Sequence, residues 1–176
     1  VTSPPYWGLR DYGIPAQVWG GDAACQHRWV GIGGRSCQLC DAWLGHLGLE
    51  PSPDLFVQHM VEVLREVGRV LKPSGTLWLN LGDCYNAGTI APRQPSPDRV
   101  GYWQAAGSMG DRRVKAPDLK PKDLVGIPWR VALALQADGW YLRADLIWAK
   151  PNPMPESVPD RPTRPHESLV PHSTNP

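Results

Sequence analysis

The run DLFVQHMVEVLREVGRVLK at residues 54–72, followed by PSG and then TLWLNL at 76–81, decides the fold. Leu55, Met60, Val61, Leu64, Val67, Val70 and Leu71 fall on one stripe at helical spacing, with Glu62, Arg65, Glu66 and Arg69 opposite. Ser52 or Asp54 can cap the start, and Pro73-Ser74-Gly75 stops the helix. Residues 76–81 are β-rich and bounded by Gly75 and Gly82, which reads as a buried strand. A helix, a tight turn and a strand make half of a βαβ unit, so the chain is placed in the α/β class.

Toward the C-terminus, periodicity dissolves over residues 86–122 into Gly, Pro, Ser and charge. This stretch reads as a long loop with a local excess of positive charge, Arg112 and Arg113 among it, and with Tyr102 and Trp103 interleaved. Two readings stand: a loop that meets phosphate and wedges an aromatic ring into a base stack, or a solvated insertion. Asp123 can cap a second helix running to about Asp138, with Pro128 tolerated only in its first turn and Gly139 ending it. Residues 140–149 read as a strand that becomes fully apolar at Ile147 and Trp148. Lys150-Pro151-Asn152-Pro153-Met154-Pro155 must be stiff and extended, because each proline constrains the residue before it. Residues 168–176 show no periodicity and read as a tail.

Toward the N-terminus, Cys25-Gln26-His27 and Cys37-Gln38-Leu39-Cys40 supply four metal-ligating side chains in a segment poor in apolar residues. A CxxC pair puts two thiolates on one tight turn, and Cys25 with His27 can present a second pair, which suits a tetrahedral structural zinc. Metal would then stand in for a core in a small zinc-knuckle-like insertion over residues 14–46. Free thiols or a redox CxxC are the alternatives, and Asp22 and His46 are substitutes should Cys25 or His27 not ligate. Cys84 reads as packing near the sheet edge.

With 176 residues the chain can build one domain of ordinary size. Its formal charge of +1 gives no global basic field, so any nucleic-acid contact must come from local patches. No apolar run approaches membrane-spanning length and no basic segment precedes an apolar one, so the expectation is no membrane partner and a cytoplasmic setting.

Val1-Thr2-Ser3-Pro4-Pro5-Tyr6-Trp7 carries the chemistry. The prolines hold Ser3 and Pro4 extended, so the Ser3 hydroxyl and the Pro4 carbonyl can accept the two hydrogens of an exocyclic amine. Tyr6 or Trp7 offers a π-face for the ring that bears it. A proline turn or a polyproline ligand is the bland alternative.

Thr2-Ser3-Pro4-Pro5-Tyr6-Trp7-Gly8-Leu9-Arg10-Asp11-Tyr12-Gly13 resembles the catalytic motif of amino-group DNA methyltransferases, which act on cytosine N4 or adenine N6. The resemblance continues from Leu49-Glu50-Pro51 through Leu77 to Asp83, and from Lys120 through Trp148 to Thr163, as in permuted phage and bacterial members that carry this motif first. It implies a partial Rossmann-like fold dependent on S-adenosylmethionine, a duplex DNA substrate, and a discontinuous catalytic domain over residues 1–13 and 47–167. Ser3, Pro4, Pro5 and Tyr6 would be catalytic. Trp7, Arg10, Lys150, Asn152, Arg112 and Arg113 would contact the base or DNA, Asp83 would approach the cofactor, and Cys25, His27, Cys37 and Cys40 would hold zinc. Asp83 also fits a turn cap. No strand and no initiator Met precede Val1 and residues 168–176 resemble nothing in the family, so both chain ends read as cut; with no glycine-rich cofactor turn between strand and helix, the donor half is expected elsewhere.

The implied mechanism draws the amine hydrogens out of the ring plane toward Ser3 and the Pro4 carbonyl, which localises the nitrogen lone pair for in-line methyl transfer. Flipping the base costs a few kcal/mol, of which stacking returns roughly 1 to 3 kcal/mol. No cysteine adjoins Pro4-Pro5, as a covalent ring-carbon mechanism would need. Ser rather than Asp or Asn at this place in the resembled family inclines the expectation to cytosine N4. The reading of another class is a zinc-containing DNA-binding module, or a fragment without catalysis.

Overall fold

The computed structural model describes residues 1–9, 11–31, 35–86, 116, 118–153 and 165–175. Arg10, Arg112, Arg113, Tyr102 and Trp103 lie outside the described residues, as does most of the basic loop. Four short strands come first, Gln17–Trp19 (β1), Trp29–Val30 (β2), Ser36–Cys37 (β3) and Trp43–Gly45 (β4), in one antiparallel sheet ordered β1-β4-β3-β2. There follow Pro53–Val70 (α1), Thr76–Leu81 (β5), Ile127–Ala137 (α2), Tyr141–Leu142 (β6), Leu146–Ala149 (β7) and His166–Ser173 (β8).

The helix α1 forms where the stripe requires it. Ser52 Oγ accepts from the Leu55 N–H at 3.3 Å and Pro53 occupies the first turn, where its missing N–H costs nothing. The buried face carries Phe56, His59, Met60, Val61 and Leu64, whereas Val70, expected inward, is 69% exposed. The chain leaves the helix at Leu71, whose backbone is extended and whose side chain packs against the core.

Strand β5 spans the residues expected. Leu77, Leu79 and Leu81 alternate with Thr76, Trp78 and Asn80, and the three leucines join Phe56, Met60, Ile127, Val131 and Leu135 in the core beneath α1 and α2. Each such fully buried side chain contributes about 1.5–3 kcal/mol. Thr2 pairs in parallel with Leu79: its N–H donates to Trp78 O and its carbonyl accepts from Asn80 N, both at 2.9 Å. The path from Thr2 through α1 to β5 is therefore a βαβ crossover, interrupted by the small sheet.

Residues 168–176, expected as a tail, require the largest correction. Strand β8 lies inside the main sheet, antiparallel to β5 on one side and to β6 and β7 on the other. Ser168, Val170, Pro171, His172 and Ser173 are buried there. The single strand expected over 140–149 is split: Arg143 N reaches Pro171 O at 2.9 Å between β6 and β7. Leu146, Ile147 and Trp148 are exposed rather than buried.

The second helix starts at Ile127, with Gly126 and not Asp123 at its N-cap. Gly126 stands at its N-cap with φ 77°, a conformation glycine adopts freely, and contributes no side-chain cap. Asp83 caps instead, its carboxylate accepting from Gly126 N at 3.0 Å and Ile127 N at 3.0 Å. Asn86 closes the base of the loop that follows β5: its amide donates to Ala116 O and Leu119 O at 3.1 and 2.6 Å and accepts from Ala116 N at 2.9 Å.

Candidate active site

Paired residues in neighbouring strands share a sheet face. Leu79, Leu81, Val170 and Ser168 face the helices, which leaves Asn80 and Glu167 on the opposite side, near the end of the Thr2 segment. Ser3-Pro4-Pro5-Tyr6 continues from Thr2 over this edge.

Tyr6 is the centre of the cluster. Its hydroxyl lies 3.1 Å from Ser3 Oγ, donates to Glu167 Oε2 at 3.1 Å and accepts from Asn80 Nδ2 at 3.1 Å. Asn80 Nδ2 also donates to Glu167 Oε2 at 2.7 Å, and Lys150 Nζ donates to Glu167 Oε1. Ser3 is exposed, while Pro4, Pro5 and Tyr6 are half-buried. Burial pushes the Tyr6 phenol above its ordinary value, and the Glu167 charge adds to this against the opposing Ser3 bond. Burial would also raise Glu167, yet the hydrogen bonds from Lys150, Asn80 and Tyr6 together hold it below the usual carboxylate value.

Two glycines admit this arrangement. A Cβ on Gly82 would stand 2.6 Å from the Tyr6 ring, and one on Gly48, whose φ is +94°, would stand 3.0 Å from Tyr6 O and 3.1 Å from Pro5 Cβ. Gly8 N donates to Gly48 O at 2.7 Å, which ties the motif to the entry of α1.

Trp7 is no base contact. It is 3% exposed, belongs to the core, and its indole N–H donates to Glu50 O at 3.0 Å. Lys150 joins the cluster as the partner of Glu167, and Asn152 is exposed two residues further on. Asp83 is engaged with the start of α2. Asn80 and Glu167 escape a reading of the sequence, because each lies in a strand and only the β5–β8 register brings them together.

Cys25, His27, Cys37 and Cys40 converge, their ligand atoms all within 4.8 Å of one another. Cys25 Sγ and Cys37 Sγ are 3.9 Å apart, and Cys40 Sγ lies 3.4 Å from His27 Nδ1. A tetrahedral zinc with bonds of about 2.3 Å to sulfur needs sulfurs roughly 3.8 Å apart, so the four residues fit that ion. Cys84 stands apart from this group, partly buried against the core. His59 stacks between Trp19 and Trp43 of the small sheet, with ring centroids at 4.8 and 5.5 Å, and its Nδ1 lies 3.0 Å from buried Glu50 Oε1. Burial pushes the Glu50 carboxyl up, against the pull of His59.

A family model described as DNA methylase matches residues 1–175. The chain belongs to the DNA methylase family. Curated relatives of this methylase chain include the type II methyltransferases M.Cfr9I of Citrobacter freundii, at 46% identity, and M.XycI of Xanthomonas campestris pv. cyanopsidis, at 47%. Each comparison covers 96% of this chain and 45% of the relative. M.SmaI of Serratia marcescens is 44% identical over 96% of the chain and 46% of its own length. The methylase chain thus spans a little under half the length of these relatives. No helix among its described residues is long and apolar enough to cross a membrane.

Proposed function

We propose that this chain forms the methyl-acceptor side of a site-specific DNA methyltransferase that modifies an exocyclic amine of a flipped-out base, cytosine N4 in preference to adenine N6. The observation that carries this reading is the Ser3–Tyr6 pair at the end of the Thr2 segment, beside Asn80 and Glu167. Ser3 Oγ accepts an amine hydrogen, the half-buried Tyr6 ring holds the flipped base, and localising the nitrogen lone pair makes the amine a nucleophile. S-adenosylmethionine, the donor the family implies, would supply an electrophilic methyl group. The described residues do not assemble its pocket: no glycine-rich turn links a strand to a helix among them, and Asp83 caps α2. The chemistry assigned to this chain therefore lies on the acceptor side.

The Cys25, His27, Cys37 and Cys40 cluster binds one structural zinc, which orders the small sheet; the ion takes no part in methyl transfer. Duplex DNA is the macromolecular partner.

Single-turnover methylation by a complete enzyme containing this chain tests the site. Ser3→Ala is expected to slow the methylation step by roughly tenfold or more while sparing DNA binding, the loss of one hydrogen bond made at the reacting atom. Tyr6→Ala should weaken base capture by about 1–3 kcal/mol as well as rate. Unchanged rates in both variants would overturn the assignment.

A further inference from the structure

We propose that Glu167 sets the direction of the hydrogen-bond chain at the acceptor site, so that Ser3 presents a lone pair, and not a hydrogen, to the target amine. This rests on the acceptor reading above and adds a positioning residue to it.

The inference follows from counting hydrogens. A tyrosine hydroxyl has one hydrogen to donate, and a carboxylate has none. Asn80 Nδ2 donates to both Tyr6 Oη and Glu167 Oε2, at 3.1 and 2.7 Å, so it takes no hydrogen from either. Tyr6 gives its hydrogen to Glu167 Oε2 at 3.1 Å. The remaining contact, 3.1 Å between Ser3 Oγ and Tyr6 Oη, is then made with the Ser3 hydrogen. Both Ser3 lone pairs are then left unused by that contact, and the exposed side chain can offer them to an amine N–H.

Lys150 fixes the polarity from the other end by holding Glu167 Oε1, which favours the ionised carboxylate. The lowered proton affinity of Glu167 agrees with that. A neutral amide at this position can donate to Tyr6 Oη. Tyr6 would then be free to direct its hydrogen at Ser3, and the Ser3 hydrogen would point at the amine it should accept from. Donor would face donor.

Glu167→Gln keeps the shape and removes the charge. In a complete enzyme acting on duplex DNA that the wild type methylates, kcat should fall roughly ten- to hundredfold, the scale of one misdirected hydrogen bond, with DNA affinity and melting temperature little changed. In a Ser3→Ala background the same change should have almost no further effect, because there is no Ser3 polarity left to set. Full additivity of the two changes would show a merely structural role and overturn the proposal, as would an unchanged kcat in Glu167→Gln. Should the glutamine variant not fold, Tyr6→Phe deletes the link from its middle. It must lower kcat in the Ser3 background and have little effect in the Ser3→Ala background, and the reverse pattern refutes the chain. A wild-type enzyme that methylates no exocyclic amine would instead refute the acceptor reading itself.

Discussion

Tyr6 holds its place through backbone that carries no side chain. Gly82 lies at the end of β5 directly against the Tyr6 ring, so a methyl group there must displace the ring or the strand end. Gly82→Ala is expected to destabilise the protein by about 1–3 kcal/mol and to move Tyr6 off Glu167. Melting temperature and methylation rate check this together: the rate should fall further than Ser3→Ala alone lowers it. The glycine's role is invisible in the sequence, where Leu81-Gly82-Asp83 reads only as the end of a strand. The proposal for Ser3 and Tyr6 draws on proline geometry and side-chain chemistry, which are local. Trp7 was misassigned for the same reason: nothing local distinguishes a stacking indole from one whose N–H is satisfied by Glu50 O in the core.

Elements whose signals are contained in their own residues were read correctly, while those fixed by distant partners were not. Strand β5 matched residue for residue and α1 nearly so, since stripe, cap and stop all lie within the segment. The start of α2 was placed three residues early, because its cap comes from Asp83 across the chain and not from Asp123. Asp83→Ala is accordingly expected to cost about 1 kcal/mol, within the range for lost helix caps, and to loosen hydrogen-exchange protection in the first turn of α2. The cause of the β8 error is also physical. Proline is rare inside a sheet because it cannot donate to the ladder, yet Pro171 stands opposite Trp78 and serves through its carbonyl, which accepts from Arg143 N.

At the scale of the whole chain, a buried contact joins the small sheet to α1. Trp19 and Trp43 of the small sheet enclose His59 of α1, which pairs with Glu50, and Glu50 in turn accepts from Gly48 N at 2.8 Å beside the motif. Zinc in the Cys25, His27, Cys37 and Cys40 cluster would therefore order a surface tied through Glu50 and Gly48 to the segment after Tyr6. Metal analysis should find one zinc per chain, lost in Cys40→Ser. Chelation should shift tryptophan emission to the red as Trp19 and Trp43 leave His59, and chains that keep this emission without metal would remove the structural role. The convergence of Cys25, His27, Cys37 and Cys40 was legible in the sequence, but the Trp-His-Glu contact was not, because its members are separated in the chain and ordinary in type. Cytosine N4 is the proposed methyl acceptor at this edge of the sheet. Mass spectrometry of nucleosides from DNA methylated by a complete enzyme containing this chain decides the acceptor: N4-methylcytosine is expected, absent or much reduced with Ser3→Ala, and N6-methyladenine alone or a ring-carbon product would exclude cytosine N4.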